Sequence, residues 1–332
     1  MIHRFFLTLL LGFSLFGKTA EAGQTVCVYD PAGRTGFAFG WLEAWQIAAA
    51  GWGGDVTLKP YTDEDTAIND FDAGRCDGLA ATGIRLQKYN RAAYTLEALA
   101  GIPDYTLLKR VLVHMMTNAN YQSMFSSGDY ETGGIYPLGA VYAFVSDRQI
   151  DDIGDFAGKR IAAMEYDQTS LLVVERVGGV LVPVNLSNLS ASFNNGAADA
   201  TFVPASAYTP FELWHGLEGG GAVVRYPLLQ VTMQIVLRDA QFPDGFGVQS
   251  REFVAGQFDT AMQVVNNAES EIPASYWVEM PQDKIGDFEV LMQRLRIELR
   301  DSGRYDADVL RLLRKARCNA DSSRWECAEE LE

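Results

Sequence analysis

A run of strand, helix, strand, helix, strand occurs twice in this 332-residue chain, and that repetition limits the available folds more than any other feature. In the first copy Thr25 to Tyr29 reads as a buried strand, residues 38–50 as a helix and Val56 to Tyr61 as a second strand. A further helix follows Asp63 and ends at Asp72-Ala73-Gly74, with Gly74 placed to terminate it, and Gly78 to Ala81 is the third strand. The second copy begins at Arg160 to Met164, continues through a helix over 168–177, a strand at Val180 to Val184 and a helix closing at Asn195-Gly196, and ends in Ala200 to Val203. Two places match residue by residue. Phe71-Asp72-Ala73-Gly74-Arg75-Cys76-Asp77 parallels Phe193-Asn194-Asn195-Gly196-Ala197-Ala198-Asp199, and the first strand of each copy runs into Tyr-Asp, at Tyr29-Asp30 and Tyr166-Asp167.

Alternating strands and helices of these lengths imply parallel sheets with right-handed crossovers, so the fold class is α/β with two lobes. Parallel sheets bind ligands outside the carboxyl ends of their strands, which places both Tyr-Asp pairs at such an edge. Facing lobes would therefore share one cleft. Residues 135–146 and the alternating stretch Leu228 to Leu237 read as strands crossing between the lobes, a hinge that can open and close. The boundaries that follow are 23–140 with 235–332 for lobe one and 141–234 for lobe two. A helical tail occupies 285–317: Ile285, Phe288, Leu291, Leu295 and Leu299 recur at helical spacing, then Val309, Leu310, Leu312 and Leu313 after Ser302-Gly303.

Arg4, the short apolar run Phe5 to Phe16 and Ala20-Glu21-Ala22 have the grammar of a secretory signal peptide over residues 1–22. An exported chain meets an oxidising compartment, where four cysteines read as disulfides. Cys27–Cys76 and Cys318–Cys327 are favoured among three connectivities; zinc is the weaker alternative, since only His114 and His215 could supplement the thiols once the leader is removed. Loss of Arg4, Lys18 and Glu21 takes the formal charge from -16 to about -17. So acidic a surface argues against nucleic acid as a partner, because phosphates must be met by clustered Lys and Arg.

Phe71 to Gly78 with Ala81-Thr82-Gly83-Ile84-Arg85, Ile135-Tyr136-Pro137-Leu138-Gly139, Ala157 to Ala162 with Tyr166-Asp167, and Tyr226-Pro227-Leu228-Leu229-Gln230 together resemble the periplasmic solute-binding proteins of tripartite ATP-independent (TRAP-type) transporters. They are similar in closer detail to a branch of solute-binding proteins associated by name with RND-type transporters. The resemblance spans about residues 24–240. It implies a two-lobed periplasmic binding protein of type II, a Venus flytrap, that captures a small organic molecule, hands it to a membrane transporter, works as a monomer and holds no cofactor or metal. One position departs. The opening strand of the second lobe typically ends in an Arg that grips a substrate carboxylate, and here Ala162 stands in its place.

A clamp of this kind needs a few orienting polar groups from both lobes in an otherwise apolar lining. Strand-end geometry nominates Tyr29, Asp30, Arg34, Thr82 and Arg85 from lobe one, Tyr166, Asp167, Pro204, Ser206 and Tyr208 from lobe two, and Tyr136 and Gln230 from the crossing strands. Asp30 before Pro31-Ala32-Gly33 can instead shape a turn, and Asp167 can cap the following helix. Asp63-Glu64-Asp65 reads as a solvated helix start. Aromatic strand ends with few cations point to a partly apolar or aromatic solute. A periplasmic adaptor or sensor that binds protein is a second reading. An enzyme on the same fold is a weaker third, because G-x-S-x-G, H-E-x-x-H and phosphate-loop motifs are all missing from the sequence and no catalytic residue stands out.

Overall fold

The structure, a computed structural model, describes residues 23–332; the expected signal peptide lies outside them. The first copy consists of β1 (Gln24–Tyr29), α1 (Phe37–Ala49), β2 (Val56–Tyr61), α2 (Glu64–Asp72) and β3 (Gly78–Thr82). Two helices follow, α3 (Arg91–Thr95) and α4 (Tyr105–Thr117), and then β4 (Ser126–Ser127) and the 16-residue β5 (Tyr130–Val145). The second copy is β6 (Arg160–Met164), α5 (Gln168–Arg176), β7 (Val180–Val184), α6 (Leu189–Asn194) and β8 (Ala200–Pro204). After α7 (Trp214–Leu217) comes the 17-residue β9 (Ala222–Arg238), then α8 (Phe246–Gly256), α9 (Phe258–Ser270), β10 (Trp277–Val278), α10 (Gln282–Asp301) and α11 (Ala307–Ala320).

The internal duplication is real at the level of single hydrogen bonds. Gly74 and Gly196 end α2 and α6 with φ of +71° and +72°, a left-handed turn that glycine adopts at low cost. Each turn delivers an aspartate to the start of its copy's first strand. Thr25 N–H donates to Asp77 Oδ2 at 2.8 Å, and Arg160 N–H donates to Asp199 Oδ2 at 2.8 Å. The return bonds, Asp77 N–H to Thr25 O and Asp199 N–H to Arg160 O, are 2.7 Å in both. Where the first copy joins Cys27 to Cys76, the second carries Ala162 and Ala198, both buried. Cys318–Cys327 is the other disulfide, and all four thiols are thereby committed.

The strands form one mixed sheet ordered β2-β1-β3-β9-β5-β8-β6-β7, with β10 on β9 and β4 on β5. The triplets β2-β1-β3 and β8-β6-β7 are parallel, as the repeated crossovers require. Between them β9 and β5 run antiparallel and together join the triplets: β9 pairs with β3 through Met233–Leu237, β5 pairs with β8 through Val141–Val145, and the two pair with each other along their lengths. Their mutual ladder is broken three times, between Thr132 and Gly134, Pro137 and Gly139, and Val141 and Ala143. Bulges bend and twist a strand, and Gly139, at φ +110° with Val265 3.0 Å from where a Cβ would sit, fits a bend where a side chain would not.

The apolar stripe of the tail is core packing: Phe288, Leu295, Leu299, Val309, Leu310 and Leu313 are all buried. Residues 272–298 also reach the second copy. Trp277 and Val278 pair with Val223 and Val224, Lys284 lies 3.4 Å from Asp152, and Arg176 donates to Glu298 at 2.6 Å. The two aspartate ties give a prediction. Asp77→Ala should cost about 1–3 kcal/mol in chemical denaturation, and Asp199→Ala less, because its end of the sheet is the more solvated. Equal, negligible effects would show that the mirrored bonds are incidental.

Candidate functional site

Both Tyr-Asp pairs sit where a parallel strand hands over to a helix, and both aspartates do the same local work. Asp30 Oδ2 accepts from Ala38 N–H at 2.9 Å and Phe39 N–H at 3.2 Å, which holds the start of α1, while its Oδ1 accepts from Ala32 N–H. Asp167 Oδ1 accepts from Thr169 N–H at 3.0 Å and Oδ2 from the Ser170 hydroxyl, at the start of α5. The tyrosines beside them are buried or nearly so, and burial first, then the charge of Glu64, pushes the Tyr29 hydroxyl above its usual range.

Two contacts join the copies here. The Arg85 guanidinium lies 3.9 Å above the Tyr166 ring, and the hydroxyls of Tyr94 and Thr169, both buried, are hydrogen-bonded at 2.9 Å. Arg85 is itself held from below by Asp65, with Glu64 at 3.9 Å. Glu64 is buried, against the expectation of a solvated helix start. Asp63 supplies the cap, accepting from Thr66 N–H at 2.8 Å, and Asp65 stays exposed. The Glu64 carboxylate turns inward to accept both the backbone N–H and the hydroxyl of Thr82, each at 2.7 Å. Burial raises its pKa in spite of those bonds and of Arg85.

Beneath these groups runs a polar ladder on one face of β9. Gln230, Thr232 and Gln234 are each 1% exposed and face the segment from Ala93 to Ile102: Gln230 donates to Ile102 O at 3.2 Å and Gln234 to Ala93 O at 3.1 Å. Thr232 donates through its N–H and its hydroxyl to Glu97 Oε1, each at 2.6 Å. Glu97 Oε2 and Gln230 Oε1 have no hydrogen-bond partner among the described residues. A Cβ on residue 83 would lie 2.3 Å from Glu97 Oε1, so Gly83 is what lets the strand end approach the carboxyl. Burial, augmented by Asp167 and Glu64 and opposed by Thr232, pushes Glu97 up to about 8. Asp167 is raised as well, again chiefly by burial.

Of the residues nominated from sequence, Tyr29, Thr82, Arg85, Tyr166 and Asp167 gather at this gap and Gln230 lies on its floor. Asp30 is adjacent but turned into the backbone. Arg34 is exposed, 5.3 Å over Phe39. Tyr136 pairs with Met233, so it lies on the opposite face of the sheet from Thr232 and Gln234, stacked 5.1 Å from Trp41 with its hydroxyl unpartnered. Pro204 and Ser206 are half-buried at the end of β8, and Tyr208 packs against Trp214 and Phe144 in the second lobe's core. Ala162 is buried, and its carbonyl accepts from the Thr201 hydroxyl at 3.2 Å. Sequence reasoning missed Glu64, Tyr94, Glu97, Thr169, Thr232 and Gln234. The alternation Gln230-x-Thr232-x-Gln234 inside an otherwise apolar strand was the signal available. Among the described residues one acidic trio, Asp151, Asp152 and Asp155, is spaced for a metal, but these side chains cap the turn at Ile153 and face Lys284.

With this geometry in place, comparison with known proteins is decisive. The family described as "Solute-binding protein AdeT 1/2" matches residues 42–332. The chain belongs to the AdeT solute-binding protein family. It is 36% identical over 310 residues to the "Probable solute-binding protein AdeT1" of Acinetobacter baumannii, covering 91% of this chain and 99% of that one. It is 24% identical over 218 residues to the AdeT2 counterpart, covering 66% and 92%. The chain has the two-lobed α/β fold of TRAP periplasmic solute-binding proteins. The crystal structure of a TRAP periplasmic solute binding protein from Ralstonia eutropha H16 with bound (S)-2-acetolactate superposes with a TM-score of 0.67 at 14% identity, over 90% of this chain and 99% of that one. A counterpart from Rhodoferax ferrireducens with bound malonate gives 0.66 at 11%, over 89% and 99%. The two-lobed α/β expectation and the resemblance to TRAP-type binding proteins are therefore borne out.

In this AdeT chain the elevated carboxyls set the response to pH. Glu97 has an ordinary value of 4.5 and a folded value of about 8, so the stability it contributes is complete below about 4.5 and is lost as pH rises to about 8. Glu64 and Asp167 are shifted in the same direction. Melting temperature should fall by several degrees between pH 5 and 8, and Glu97→Gln, which keeps an acceptor for Thr232, should flatten that fall. Differential scanning calorimetry across this range checks it; identical slopes would remove Glu97 from the explanation.

Proposed function

We propose that this chain is a periplasmic solute-binding protein whose two lobes close over a small organic molecule and present it to a membrane transporter. The observation that carries the reading is the meeting of the two copies through Arg85 on Tyr166 and Tyr94 on Thr169, directly over buried polar atoms without protein partners. A closed clamp has this anatomy: ligand-facing groups from both lobes, and a hinge of two crossing strands to bring them together. The lobes we assign are 23–140 with 235–332, and 141–234, with residues 272–298 lying across the boundary. Tyr29, Thr82, Arg85, Tyr166 and Asp167 form the rim and Gln230 the floor. Binding without catalysis, a monomeric state and export by residues 1–22 complete the assignment. Neighbours of the same fold hold acetolactate and malonate, which supports a small organic solute in general.

Stabilisation by a library of small metabolites tests the reading, since a cognate solute adds about 2.7 kcal/mol at a hundred times its Kd. No stabilisation by any member would sink it. The interlobe hydrogen bond gives a finer test. Removing it with Tyr94→Phe or Thr169→Val should lower the closed population and weaken apparent affinity by roughly fivefold, the weight of one buried hydrogen bond. Small-angle scattering should then report a larger radius of gyration without solute and recovery with it.

A further inference from the structure

We infer that the cleft is built for a cationic solute, an alkylamine or guanidinium, received by Glu97 and Gln230 beside Glu64, where Arg85 of one half meets Tyr166 of the other. This rests on the solute-binding reading above and specifies its ligand. Three carboxyl groups, Glu64, Glu97 and Asp167, are buried in one neighbourhood, drawn from three separate elements of both lobes. Buried acids are ordinarily paired with cations or fully hydrogen-bonded. Here Glu64 and Asp167 are bonded to hydroxyls and N–H groups, but Glu97 gives only Oε1 to Thr232 and leaves Oε2 free, and Gln230 on the same face of β9 leaves its acceptor Oε1 free. Glu97 Oε2 and Gln230 Oε1 are thus both without a partner on a buried floor, and an ammonium or guanidinium group can donate to both once Glu97 has given up its proton.

A second observation comes from Arg85. Its guanidinium lies 3.9 Å from the Tyr166 ring centroid and is held by Asp65 and, at 3.9 Å, by Glu64. The surroundings therefore stabilise a cation, and Glu97 is the buried acid that Arg85 leaves unpaired. An anionic solute would meet the opposite situation. It would have to approach the buried acids Glu97 and Asp167, while Arg85 is already engaged by Asp65 and Glu64.

Glu97 is faced by Thr232 from β9, Tyr94 from α3, Glu64 from α2 and Asp167 from the start of α5, with Arg85 and Arg304 as the nearby bases. A cation would pull the elevated Glu97 carboxyl back toward ionisation, so binding should release protons near neutral pH.

The test uses the exported chain with both disulfides intact and titrates putrescine, agmatine, malonate and glucuronate by calorimetry. Saturable binding of putrescine or agmatine is expected, with protons released and no heat from malonate or glucuronate. Glu97→Gln and Glu64→Gln, each checked for a native melt, should weaken amine binding roughly tenfold or more. Glu43→Gln, which removes the same charge from an exposed site on α1, should leave it unchanged. Equal weakening by all three variants would mean that the amines sample only the acidic surface, and the inference fails. Binding of malonate or glucuronate in place of the amines also overturns it, but leaves the solute-binding reading intact. Silence of both amines, together with an unresponsive metabolite library, would overturn both.

Discussion

The antiparallel ladder between β5 and β9 is the constraint on which the rest of this molecule depends. Each copy supplies only a three-stranded parallel sheet, and a parallel sheet with one open edge presents unpaired backbone groups that must be covered. β9 closes the first triplet's inner edge against β3 and β5 closes the second's against β8, and at 17 and 16 residues they are long enough to pair with each other beside both triplets. Continuity of this kind would make a stiff plate. The three register breaks interrupt it, and the one at Pro137 and Gly139 does so in mid-strand, between the stretch of β5 beside Met233–Leu237 and the stretch that pairs with β8. The same two strands thus hold the halves together across a bent ladder.

The ladder also explains why a polar site can exist at the centre of an apolar core. β9 shows apolar residues to one face and Gln230, Thr232 and Gln234 to the other, and those polar side chains need partners that only the segment from Ala93 to Ile102 provides. Beyond the end of α3 at Thr95 that segment is irregular. Ala100 stands at φ +46°, uncommon for a residue with a side chain, and its N–H donates to Leu228 O at 2.7 Å. Its shape is imposed from the tail: Arg296 donates to Leu99 O at 2.8 Å and Arg317 to Gly101 O at 2.9 Å. Both guanidiniums are buried and share Glu326 and Glu332, with Cys318–Cys327 closing the hook that carries Glu326. Burial alone would raise Glu326, yet Arg317 and Arg296 hold it near 2. Breaking such a network strands a buried charge, so the tail is a structural member of the binding floor.

Much of this was legible in the residues. The duplication could be read because glycine at the end of a helix and aspartate three residues later are dictated by local backbone geometry, and local geometry repeats when sequence repeats. Both disulfides followed from strand adjacency and short separation. The acids of the site were less visible. Glu64 sits between two aspartates in a segment whose composition resembles any exposed helix start, and nothing within that segment distinguishes the residue that turns inward. Glu97 lies in a connecting stretch with no period at all, so its depth depends on strand β9, some 135 positions away.

By itself, then, the sequence determined the two parallel half-sheets, their connecting helices, the two crossing strands and the placing of Tyr29 and Tyr166 where strands give way to helices. These depend on interactions between residues close in the chain or in matching positions of the two copies. Only the tertiary structure decided that Tyr136 and Gln230 take opposite faces of the sheet, that Tyr208 joins a core, and that Glu64, Glu97 and Asp167 share one buried neighbourhood. The physical reason is that ionisation and exposure are properties of a place and not of a residue type, and that place is assembled from segments the chain brings together only once it has folded.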